Sequence, residues 1–144
     1  MWRHTKIQLK ANFGSIRGGR RRYMVAITDG QLQTVGGKEI RALVECKQAQ
    51  RPPDSSVVDR QEAALLLAWI REYPRSPFRH VLVSQDSMHI YITFADHPMD
   101  WRSYLIRNTL NPLSFMRLRR YGPWDLQVAE HVMEVAAILL AIGL

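Results

Sequence analysis

The chain has one cysteine in 144 residues, Cys46. An internal disulfide is excluded, and so is a zinc site built from cysteine alone. Acid is missing from one end: residues 1–22 hold Arg3, Lys6, Lys10, Arg17, Arg20, Arg21 and Arg22 with no Asp or Glu. The same stretch lacks the apolar segment of a secretory leader, so the expected setting is intracellular, cytoplasmic or nuclear. Long hydrophobic runs are also lacking. The last ten residues are strongly apolar, but Glu130, His131 and Glu134 interrupt any extension upstream, and no membrane contact is expected. There is no internal repeat and no low-complexity tract. The length suits a single domain, 1–144, with a basic N-terminal strand and loop over 1–22 and an apolar C-terminal helix over 126–144.

What is present is positive charge. The formal net charge is +7, and besides the N-terminal group there is a second cluster of Arg117, Arg119 and Arg120. Such clusters attract phosphate backbones by charge alone. Arg17, Arg20, Arg21, Arg22, Arg117, Arg119 and Arg120 are thus candidate nucleic-acid contacts. The alternative is a solvated surface, or one facing an acidic protein.

Patterning gives a mixed order of elements. Lys6 to Phe13 alternates as a half-buried strand, with Ile7, Leu9, Ala11 and Phe13 on one side. Tyr23 to Thr28 is nearly all apolar and predicts a central strand, ended by Asp29-Gly30. Ile40 to Gln48 is the third main strand. Val57 to Tyr73 carries apolar residues at helical spacing and Pro74 stops it. His80 to Ser84 and Met88 to Phe94 read as an antiparallel pair. Asp100 to Asn108 reads as a short helix, and Asn111 begins a long loop through Phe115, Arg117 and Tyr121-Gly122-Pro123-Trp124. Asp125 is placed to cap a final helix, Leu126 to Ile142. The fold expected is α/β or α+β, a mixed central sheet flanked by helices. The apolar last helix needs cover, which a homodimer through it would supply.

One strand carries chemistry. In Ile40-Arg-Ala-Leu-Val-Glu-Cys-Lys47, alternation puts Leu43, Glu45 and Lys47 on one face. A carboxylate and an ammonium closing an apolar strand are costly unless they pair or react. A carboxylate can hold a divalent cation beside a phosphodiester while a lysine steadies developing charge. An ordinary ion pair is the plain alternative. The five histidines show no helical metal spacing, and read as surface or internally bonded side chains.

These residues, with Asp59-Arg-Gln-Glu-Ala63, Ala68-Trp69-Ile70, Val81 to Asp86, Ile90 to Phe94 and Tyr121-Gly-Pro-Trp124, resemble a fungal group of PD-(D/E)XK nuclease-like proteins over roughly residues 20–144. The resemblance implies a restriction-endonuclease-like core lacking its N-terminal helix. It makes Glu45 the metal-binding glutamate, Lys47 the catalytic lysine and Gln61 a site glutamine, with Mg²⁺ as cofactor if the site is active. That pattern also wants an Asp at the start of the preceding strand, where Arg22 or Tyr23 stands, while Asp29 falls at the far end of that strand. A single carboxylate is a weak Mg²⁺ site. The expected function is a degenerate nuclease-like module that binds nucleic acid without hydrolysis. An active Mg²⁺-dependent nuclease, or a protein-interaction module on a retired nuclease fold, are the alternatives.

Overall fold

The structure is a computed structural model that describes residues 1–15, 18–36, 39–52, 56–76, 79–107 and 111–143. In chain order the strands and helices are β1 (Trp2–Arg3), β2 (Ile7–Ser15), β3 (Arg21–Thr28), β4 (Gly30–Gln33), β5 (Ile40–Lys47), α1 (Ser56–Glu72), β6 (Arg79–Asp86), β7 (His89–Asp96), α2 (Met99–Arg107), β8 (Arg117–Asp125) and α3 (Ala129–Gly143).

Six strands form one mixed sheet in the order β1-β4-β5-β6-β7-β8. Only β5 and β6 run parallel. A parallel pair needs a crossover, and α1 supplies it. The helix forms because Val58, Leu65, Leu66, Trp69 and Ile70 recur on one buried side. It lies on one face of the sheet, where Leu43, Leu65, Leu66, Ala68, Trp69 and Leu82 share a core. On the opposite face Ala42, Val81, Ile92, Trp124 and Val135 form a second core against α3. Here, then, is a mixed α+β fold with helices on both faces, as the patterning predicts.

The strand Tyr23–Thr28 is not central. β3 pairs only with β2, in a separate two-stranded ribbon whose inner side chains lie on α1. Local alternation is the same in both settings, so an apolar run alone could not tell a ribbon from a sheet centre. The expected loop before the last helix contains β8, hydrogen-bonded to β7 from Asp96↔Arg117 to His89↔Asp125. Arginine, glycine and proline hid it. The register shifts between Ile90 and Ile92, where a Cβ on Gly122 (φ +108°) would meet the Ile90 carbonyl oxygen at 2.6 Å. Asp125 ends β8 and accepts a hydrogen bond from the Gln127 amide, so it caps a turn ahead of α3 rather than the helix.

Candidate functional site

The Glu-x-Lys strand is interior, with β4 on one side and β6 on the other. Glu45 and Lys47 point to the α1 face and their side chains are only 18% and 19% exposed. The Lys47 ammonium lies 3.6 Å from Glu45 Oε1. Among the described residues neither Glu45 Oε2 nor Lys47 Nζ has a hydrogen-bond partner, although both atoms are buried. Burial pushes the Glu45 carboxyl above its ordinary value; Lys47 opposes the rise, and the charges of Asp29 and Glu62 add to it.

Asp29 does not sit at the far end of the relevant strand. The chain bends at Asp29 between β3 and β4, and β4 runs antiparallel to β5 with Gly30 opposite Val44. The Asp29 amide donates to the Val44 carbonyl at 3.0 Å, and Asp29 Oδ2 accepts from the Cys46 amide at 2.8 Å. Asp29 therefore opens the strand that precedes Glu-x-Lys in the sheet and flanks Glu45. Its second oxygen is 3.3 Å from Lys6 Nζ. Gly30 is required here, because a Cβ would meet the Arg3 carbonyl oxygen at 2.7 Å where β1 crosses. Sequence reasoning missed Asp29 because it took β3 for the neighbour of β5. The Asp-Gly turn signal was the available clue.

Gln61 is exposed on α1. The next residue, Glu62, points inward and is fully buried. Its Oε1 accepts from Arg51 Nη2 at 2.5 Å and from the Ser84 hydroxyl at 2.7 Å, and its Oε2 from Arg120 Nη2 at 2.5 Å. Arg51 also donates to Asp86 at 2.7 Å and lies 4.3 Å over the Tyr91 ring. Arg120 reaches Asp59 at 2.7 Å. Burial works against the Arg120 charge, but its hydrogen bonds to Glu62 and Asp59 outweigh it and raise its pKa. These carboxylates and guanidiniums come from a loop, a helix and two strands. No periodicity within any one segment brings them together.

The nucleic-acid candidates separate. Arg20, Arg21 and Arg22 are exposed around the start of β3 and form no salt bridge with a described residue. Arg17 lies outside the described residues. Of the second cluster, Arg120 is held by Glu62 and Asp59, and Arg119 by Asp96, which also binds Arg79 at 2.8 Å. Arg117 alone is uncommitted among the described residues. These three lie on β8, and Arg117 and Arg119 are at the end of the sheet remote from Lys47.

Two histidines meet at that remote end. His80 is fully buried, its Nε2 is 2.9 Å from the Ser76 hydroxyl, and its ring stands edge-on to Trp69 at 4.4 Å. The His97 ring is 5.2 Å away and stacks at a tilt toward Trp101. Burial drives the His80 pKa down to about 3, with His97 and Arg102 adding to the fall. His80 is a core histidine held through Nε2, and His97 lies buried beside it.

The C-terminal helix buries Val135 and lays Ile138, Leu139 and Ile142 against the sheet, while Met133 and Leu140 point outward, 73% and 69% exposed. No helix among the described residues is long and apolar enough to cross a membrane. Among those residues no group of three or more His, Cys, Asp or Glu is arranged to hold a metal ion. What remains is Glu45 with Lys47 at 3.6 Å and Asp29 on the neighbouring strand, its oxygens held by the Cys46 amide and Lys6. No protein-family model, curated protein or solved structure matches the chain.

Proposed function

We propose that the chain is a nuclease-like module that binds nucleic acid and acts on a phosphodiester at Asp29, Glu45 and Lys47 with a divalent cation. The observation that carries this reading is the β4–β5 register, which sets Asp29 beside Glu45 on the strand flanking Glu-x-Lys. An unbonded, buried carboxylate oxygen on Glu45 fits a cation, since hard divalent ions take oxygen ligands. Asp29 and Glu45 would hold the ion, leaving its other positions to water and substrate phosphate. A cation bound there supplies Lewis acidity toward a phosphate oxygen and acidifies water. Lys47 then turns from Glu45 toward the phosphate and offsets the negative charge that grows in the transition state. Because the Glu45 carboxyl is raised, the site loses affinity for cations at higher pH values than an ordinary Glu would.

Non-hydrolytic binding is the second reading. It is favoured by the direct Glu45–Lys47 pair and by the grip of Lys6 and the Cys46 amide on Asp29. One experiment separates the two: incubation of duplex DNA with Mg²⁺ or Mn²⁺ and wild type, Glu45→Gln or Lys47→Met. Cleavage by wild type alone supports the first reading. Binding without cleavage by any of the three supports the second. The outward Met133 and Leu140 support a homodimer through α3. Sedimentation equilibrium of the wild type and Met133→Glu tests that separately.

A further inference from the structure

The β2–β3 ribbon has two unlike faces. Its inner face, with Leu9 and Ala11 fully buried and Met24 and Ala26 beside them, lies on α1. Further bonds fix it there: the Lys10 amide donates to Glu72 Oε2 at 2.6 Å, and Arg71 Nε donates to the Asn12 carbonyl at 2.7 Å. The outer face follows from the register, which pairs Gln8 with Ile27, Lys10 with Val25 and Asn12 with Tyr23. All six residues are exposed, Tyr23 by 68% and Ile27 by 57%. A cavity of about 500 Å³ lies along this face, bounded by Gln8, Lys10, Asn12, Arg21, Tyr23 and Val25.

Charge says what covers it. The first acidic residue of the chain is Asp29. Residues 1–28 hold seven of the 20 Lys and Arg and none of the 13 Asp and Glu, so the remaining residues carry 13 of each sign. The whole formal excess of +7 belongs to the segment that contains the ribbon. The partner is therefore a polyanion. A two-stranded ribbon fits the major groove of B-form DNA, roughly 12 Å wide. The groove of A-form RNA is too narrow to admit it. Single strands bind on several aromatic platforms, and this face offers Tyr23 alone. Amides such as Gln8 and Asn12 suit the edges of bases, Lys10 and Arg21 suit guanine or phosphate, and Val25 and Ile27 suit a thymine methyl.

We infer that the outer face of the β2–β3 ribbon docks in the major groove of duplex DNA. The inference rests on the reading of the chain as a nucleic-acid module. It deepens that reading, because β3 runs directly into Asp29, so DNA along the ribbon is led to the Asp29–Glu45–Lys47 site.

The test measures fluorescence anisotropy with a labelled 24-base-pair DNA duplex, its single strand and the matching RNA duplex over a range of salt. Proteins are wild type, Lys10→Ser with Arg21→Ser, and Gln8→Ala with Asn12→Ala. The wild type is expected to bind the DNA duplex at least tenfold tighter than either alternative. The Lys10/Arg21 variant is expected to lose at least tenfold, with a salt slope smaller by about two. The Gln8/Asn12 variant loses affinity without a change of slope. Equal binding of all three probes, ribbon variants that bind like wild type, or ribbon variants that lose only self-association would overturn the inference. Absence of cleavage with these binding results intact would sink the hydrolytic reading alone. All four ribbon positions are exposed, and unchanged thermal unfolding of the variants confirms that each folds.

Discussion

The ribbon and the sheet body treat positive charge in opposite ways. In the body, Arg51, Arg79, Arg119 and Arg120 each meet a carboxylate, and two of them grip the fully buried Glu62. On the ribbon, Lys10, Arg21 and Arg22 meet none among the described residues. The two arginine clusters look alike in sequence, yet among the described residues Arg119 and Arg120 are held by carboxylates while Arg20, Arg21 and Arg22 are not. An arginine run is therefore no measure of a binding surface until its carboxylate partners are known. Buried pairs are retained at a desolvation cost and become liabilities when one member is removed. Exposed cations cost the fold almost nothing and remain available to an anion.

Acid should strain the body first. His80 has a pKa of about 3 against 6.5 when unfolded, so between those values the unfolded chain holds a proton that the folded one refuses. Stability is full above pH 6.5 and falls on acidification until about pH 3, below which this contribution is flat. The loss is on the order of 5 kcal/mol at the acid limit. Urea titrations at several pH values should resolve that slope, and His80→Leu should flatten it.

Removing Glu62 is next in size. Glu62→Ala takes the buried carboxylate from Arg51 and the part-buried Arg120, leaving them Asp86 and Asp59, and should cost about 3–5 kcal/mol by chemical denaturation. Glu62→Gln keeps the shape and should cost less. A loss below about 1 kcal/mol for the alanine variant would mean that Asp59 and Asp86 suffice, and would blur the contrast with the ribbon.

Asp29→Asn is predicted to change stability by less than about 1 kcal/mol, since an amide oxygen still accepts from Cys46. It should nevertheless lower the Glu45 pKa, because it removes one of the charges that raise it. A carboxyl-carbon NMR titration would detect the shift. An unmoved Glu45 would break the pairing of those two carboxylates. Smallest of all, Lys10→Ser with Arg21→Ser should leave stability within about 0.5 kcal/mol while DNA affinity falls. A large loss of stability there would make the ribbon cations structural and erase the comparison.

Much of the site's local logic was legible. Glu45 and Lys47 share a face because strand side chains alternate, and α1 is set by the spacing of Val58, Leu65 and Trp69. The resemblance points to Gln61, whereas Glu62 turns inward, and nothing local says which of two adjacent helical residues does so. That choice depends on where the sheet lies, and Arg51, Ser84 and Arg120 made the inward place ionic.

The sequence by itself determined most of the element types, β8 excepted, the Glu-x-Lys face, the lack of internal cross-links and the concentration of charge before Asp29, all properties of neighbouring residues. Only the tertiary structure decided that β3 leaves the sheet, that Asp29 stands by Glu45, and that Arg120 serves Glu62 from 58 residues away. Strand pairing and buried ion pairs join segments far apart in the chain. Their energy depends on register and burial, which no local pattern of side chains records.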